Sequence, residues 1–122
     1  MHEEEVLAFV HSELGSVWAL ELLILLKSTP DKNFRMDELV LQLRSSSLAV
    51  AQGLTRLKAN GFAAETADGT YRFAPRSPRH LQMAKAIQSI SVEKPMTVIK
   101  AIAEIPNQQL RNFSDAFKIR GD

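Results

Sequence analysis

Few side chains in this 122-residue sequence carry reactive chemistry, and their spacing limits what they can do. There is no cysteine, which excludes thiolate nucleophiles, thiolate metal sites and disulfides and fits a reducing compartment. His2, His11 and His80 share no metal-ligand spacing with one another or with carboxylates. No Gly-rich phosphate loop, nucleophile elbow or patterned acid pair is present, and Glu21, alone in an apolar stretch, reads as a helix-edge residue or a salt-bridge partner. These features predict no enzyme, no metal and no cofactor. What remains is the stretch SSSLAVAQGLTRLKANGF, residues 45–62, in which Gln52 and Arg56 stand one helical turn apart. In a DNA major groove a glutamine pairs with adenine, and an arginine with guanine or a phosphate.

Holding those two groups outward requires a helix whose other face is buried. Val50, Leu54, Leu57 and Gly61 recur at i, i+4, i+7 and i+11, within a narrow arc that must face a core. Ser46 is placed to cap the start and Gly61 to stop the end. The positions opposite the core are Leu48, Ala49, Gln52, Thr55 and Ala59, with Arg56 towards one edge.

The neighbouring stretches supply the support. Residues 3–14 carry Val6, Phe9 and Val10 at helical spacing behind three glutamates, Gly15 breaks that helix, and Ser16 caps the next. Val17 to Leu26 is apolar on nearly every side and must be buried against several neighbours. After the turn at Pro30–Asn33 comes a short extended piece, Phe34-Arg35-Met36, and then a helix through Asp37, Glu38, Leu39, Val40, Leu43 and Arg44. Its acids suit the first turn, although Arg35 is a poor cap. Beyond Gly61, residues 62–66 and 70–73 flank Ala67-Asp68-Gly69, in which Asp-Gly is a hairpin signal because both turn residues must tolerate positive φ. Ser77-Pro78 and Lys94-Pro95 open two further amphipathic helices, and Pro106 a third with Leu110, Phe113 and Phe117 on one face.

The expected class is mainly α with a small β-hairpin (α+β), in one domain, since 122 residues with 45% apolar content bury a single core. Its parts are an N-terminal helix (1–14), a central unit (15–75) and a C-terminal helical extension (76–122). The net charge of +1 conceals an acidic start and a basic second half. That asymmetry fits either a polyanion partner or a solvated helical surface. The longest apolar run is too short for a bilayer and is interrupted by Glu21, and the chain opens on His2-Glu3-Glu4-Glu5 rather than a basic signal region. A cytoplasmic protein with no membrane partner is expected.

Residues Val17 to Pro75, about half of the chain, resemble the winged helix-turn-helix of small bacterial transcriptional regulators of the MarR and PadR kind. DELVLQLR is similar to the first helix of that motif, SLAVAQGLTRLKANGF to its recognition helix and ETADGTYRFAP to its wing. The resemblance implies a DNA-binding regulator with residues 46–60 in the major groove. The contacts then expected are Leu48 or Ala49 on a thymine methyl, Gln52 on adenine and Arg56 on guanine or a phosphate, with Thr55 on the same DNA-facing side and Arg44, Ser45 and Ser47 near the backbone. Arg72 and Arg76 would serve the wing, whose tip carries Glu65 and Asp68 and would repel phosphate. In such regulators flanking helices build the dimer, which makes Phe9, Ile99, Ile102, Phe113 and Phe117 the candidate homodimer contact. The alternative is a winged-helix module that binds another protein, through Leu48 or the C-terminal helices, and reads no DNA.

Overall fold

The computed structural model describes residues 1–103. The chain runs as α1 (Glu3–Phe9), continued by one π-helical turn (Val10–Leu14), then α2 (Val17–Ser28), α3 (Met36–Leu43), α4 (Ser47–Ala59), the strands β1 (Ala63–Glu65) and β2 (Tyr71–Phe73), α5 (Pro78–Glu93) and α6 (Pro95–Ala103). The helix expected after Pro106, with Phe113 and Phe117, lies outside the described residues.

Three helices begin where a serine precedes an apolar run. The hydroxyl oxygens of Ser16, Ser46 and Ser77 accept from the amides of Ala19, Ala49 and His80 at 3.1, 3.1 and 3.3 Å, each satisfying one orphan donor. At α3 Arg35 cannot accept, and Glu38 does the work from inside the helix. Its carboxylate takes the Arg35 N–H at 3.0 Å. That bond is the largest of the effects that hold the Glu38 carboxyl below its ordinary value.

The core is built around α2. Ala19, Leu20, Leu22, Leu23 and Leu26 are buried, and α2 packs chiefly on α4 through Val50, Gly53, Leu54 and Leu57. Small residues set how closely the two helices approach: a Cβ on Gly53 would stand 3.2 Å from Leu22 Cδ2 and 3.5 Å from Ala19 Cα. Phe34, Phe62, Phe73, Met83, Ile87 and Val98 close the core from the hairpin side and from α5 and α6. Each fully buried leucine contributes roughly 1.5–3 kcal/mol relative to exposure, so this α2–α4 contact holds α4 in place far more firmly than its caps do.

The strands pair antiparallel with Ala63 opposite Phe73, Ala64 opposite Arg72 and Glu65 opposite Tyr71. The short extended piece at Phe34 is realised as a single bridge to Tyr71, with amide-to-carbonyl bonds of 2.8 and 2.7 Å. The hairpin turn corrects the expectation. Only Gly69 takes positive φ, at +82°, and Asp68 does not. The Gly69 amide donates to Thr66 O at 3.0 Å and the Thr66 amide to Thr70 O at 2.8 Å, the geometry of a longer loop with one left-handed glycine rather than a two-residue turn. Asp68 instead accepts from the Thr66 and Thr70 hydroxyls, and these bonds, Thr66 first, hold its carboxyl below the usual range.

The acidic start of the chain meets part of the basic second half within the molecule. Glu5 pairs with Arg79 at 3.2 Å and Glu3 with Lys94 at 2.9 Å, tying α1 to α5 and to the α5–α6 junction. The Glu3 carboxylate raises the Lys94 pKa, chiefly by accepting its hydrogen bond. Because all four side chains are solvated, these pairs orient the helices more than they stabilise the fold.

Candidate nucleic-acid interface

The buried stripe of α4 leaves the opposite one free. Leu48, Gln52, Thr55 and Ala59, all within about 30° of the direction away from the core, are exposed. They occupy one continuous line because the core-facing residues, Val50, Gly53, Leu54 and Leu57, occupy the other.

The line is less polar than its sequence suggests. Thr55 donates its hydroxyl proton to Ala51 O at 2.9 Å, which spends the donor on the helix itself. Leu48 is 68% exposed. Ala49 is half-buried, its amide held by Ser46, so of the expected thymine contacts Leu48 is the more accessible.

Neither cation of α4 points freely along the line. Arg56 is exposed, but its guanidinium lies over Gly15 and donates through Nη1 to the Glu13 carbonyl at 3.3 Å. Asn60 donates to the same carbonyl at 3.4 Å. In this arrangement the Arg56 guanidinium is engaged at the end of the π turn, which the left-handed Gly15 closes, rather than extended along the exposed line. Lys58 pairs with Glu65 at 3.3 Å and lies 5.8 Å from the Tyr71 ring centroid.

The other cations expected at this surface, Arg44, Arg72 and Arg76, stand outside the salt bridges of the described residues. Arg44, at φ +51°, forms the left-handed joint between α3 and α4. Ser45 follows half-buried, its amide on Val40 O at 3.1 Å, and Ser47 is exposed at the first turn of α4. Arg72 is exposed at the middle of β2, and Arg76 is exposed just beyond that strand.

Two features escaped the sequence reading. Leu41 of α3 is 80% exposed. Together with Met36, Asp37, Val40 and Ser47 it lines an open groove of about 650 Å³ beside the start of α4. A helical projection of α3 would have found it, since Leu41 lies 200° from the buried Leu39. The second is Gly53, whose packing role depends on Ala19 in another helix and leaves no local mark.

The proposed dimer residues divide. Phe9 meets the Phe62 ring edge-on at 5.7 Å, and Ile102 packs on the buried cluster, so both are drawn into this chain's own core. Ile99 is 38% exposed, beside exposed Met96 and near exposed Val92. Two of the three histidines are used structurally: His11 Nδ1 lies 2.6 Å from Ala101 O, and His80 Nδ1 2.7 Å from Ser77 Oγ. Among the described residues no three His, Asp or Glu side chains are grouped to hold a metal ion, and no single helix is long and apolar enough to cross a membrane.

Comparison with protein families, curated proteins and solved structures finds no match to this chain.

Proposed function

We propose that residues 15–75 form a winged helix-turn-helix and that the chain is a transcriptional regulator binding duplex DNA through α4. The observation that carries this reading is the exposed line Leu48, Gln52, Thr55 and Ala59 on a helix whose opposite face is the centre of the core. A helix held this way can enter a major groove about 12 Å wide without any loss of its own packing. Arg44 at the joint before α4, Arg72 in β2 and Arg76 just beyond it would supply phosphate contacts. The order of elements, including the bridge from Phe34 to Tyr71, also fits the motif.

A homodimer belongs to the same reading. A second copy would cover Val92, Met96 and Ile99 at the α5–α6 corner, which are apolar and exposed, and would place two recognition helices about 34 Å apart for adjacent half-sites. Light scattering at micromolar concentration should give twice the chain mass, and Met96→Asp should halve it. A monomer mass that persists with DNA present rejects the dimer.

Gln52→Ala tests the DNA reading. Gln52 is exposed, so folding should change by less than about 0.5 kcal/mol. Affinity for the duplex selected from a random pool should fall by about 1–3 kcal/mol, and affinity for random DNA much less. Undiminished preference in this variant would remove α4 from base reading.

A second reading rests on Leu41 and Leu48, the exposed leucines of α3 and α4. If a protein docks in the groove beside them, Leu48→Asp abolishes that complex by placing an unpaired charge in an apolar contact, while Gln52→Ala leaves it intact.

A further inference from the structure

The four bases ask for different readers, and α4 offers only some of them. In the major groove guanine presents two acceptors best met by arginine or lysine, and cytosine an amino donor best met by a carboxylate. Adenine presents a donor beside an acceptor, matched by a glutamine or asparagine amide, and thymine adds a methyl group that takes apolar contact.

On α4 the guanine readers are engaged elsewhere. Its two cations are Arg56 and Lys58. The first is bound to the Glu13 carbonyl over Gly15, the second to Glu65 beside Tyr71. No cytosine reader exists, since residues 47–59 contain neither Asp nor Glu. The exposed line carries one amide, Gln52, between Leu48 on one side and Thr55 and Ala59 on the other. With the Thr55 proton given to Ala51 O, what Thr55 presents outward is its methyl and an acceptor lone pair.

We propose that α4 reads A·T pairs, with the Gln52 amide on an adenine and Leu48 and Thr55 on the methyl groups of neighbouring thymines. This rests on the reading of α4 as the DNA-binding helix and names the sequence class it takes. Leu48 and Thr55 are seven residues apart, about 10 Å along the helix, which spans roughly three base pairs at 3.4 Å each. The exposure of Leu48 has a use in this arrangement: a leucine costs little in solvent and gains when a methyl group covers it.

The test is a fluorescence-anisotropy titration of the full chain against duplexes about two helical turns long. One pool has a random A·T core, one a random G·C core, and a third repeats the A·T core with every thymine replaced by deoxyuridine, which deletes the methyl and leaves pairing intact. The A·T core should bind about 5- to 150-fold more tightly than the G·C core, the equivalent of one good bidentate contact. Deoxyuridine should weaken the A·T core several-fold, and Leu48→Ala should shrink that deoxyuridine effect. Equal binding of A·T and G·C cores overturns the proposal. So does an A·T preference that deoxyuridine leaves unchanged, because minor-groove shape would then be its source. Absence of binding to every pool at low salt is a different failure: it overturns the DNA reading of the chain, and this inference with it.

Discussion

The Arg56 guanidinium donates to the Glu13 carbonyl, 43 positions earlier in the chain, at 3.3 Å. This bond joins the end of α4 to the end of the π turn, and Asn60, which caps α4, reinforces it at 3.4 Å. It makes the one arginine at the edge of the exposed line of α4 a fastening between two helices.

Arg56→Ala should therefore act on stability rather than on base preference. The bond is exposed and shared with Asn60, so urea unfolding should show a loss of no more than about 1 kcal/mol. The ratio of A·T to G·C affinity should not move. A variant of unchanged stability that loses that ratio would return Arg56 to the DNA surface.

Gly61→Ala should be much more damaging. Gly61 has φ +79°, and a Cβ there would stand 2.9 Å from His80 Nε2 and 3.0 Å from Arg76 Cβ. The left-handed backbone alone costs a side chain about 1–2 kcal/mol, and the collision adds to it. Thermal melts of Gly61→Ala and of Gly61→Ala with His80→Ala separate the two contributions, because the second variant should regain only the part due to the ring. A Gly61→Ala protein as stable as the parent would contradict this geometry.

The salt dependence of DNA binding should distinguish free cations from paired ones. Arg44, Arg72 and Arg76 stand outside the described salt bridges, and each that neutralises a phosphate should change the log-log slope by about 0.9 when removed. Arg79→Ala and Lys94→Ala should leave the slope alone, since Glu5 and Glu3 already hold those side chains. Slopes that respond to Arg79 and Lys94 instead would put the DNA surface on α5.

Acid should weaken the hairpin end and the start of α3. The Asp68 carboxyl is held below its ordinary 3.8 by the Thr66 and Thr70 hydroxyls, and that of Glu38 below 4.5, chiefly by the Arg35 amide. In both cases the folded value lies below the unfolded one, so the stabilisation is present above the unfolded value and is lost as pH falls through the folded value. Lys94 behaves in the opposite sense, its stabilisation present below 10.5 and lost as pH rises through its raised value. Stability of Asp68→Asn followed against pH should have a shallower acid limb than the parent. Identical acid limbs would show that Asp68 contributes nothing through its charge.

Much of this molecule is local, and local features are legible in a sequence. The serine caps at 16, 46 and 77, the core line Val50, Leu54 and Leu57, and the prolines that open α5 and α6 depend on residues within a turn or two of each other. Helical periodicity therefore determined the order of elements and which stripe of α4 is free. The hairpin was legible only as a hairpin. Asp-Gly suits a two-residue turn, but Thr66 and Thr70 offer their hydroxyls to Asp68 and favour the longer loop.

Tertiary structure decided what the free stripe can present. In sequence Arg56 and Lys58 are two free cations on an amphipathic helix; in space a carbonyl from residue 13 takes one and a carboxylate from β1 the other. The acidic N-terminus and part of the basic second half, read as a surface asymmetry, become ion pairs because α1 lies against α5 and α6. Phe9 likewise finds an edge-on neighbour within the chain, the Phe62 ring. Periodicity fixes the direction of a side chain from its own helix axis, whereas its partner is set by which other helix end comes to rest beside it, and that depends on packing between segments tens of residues apart.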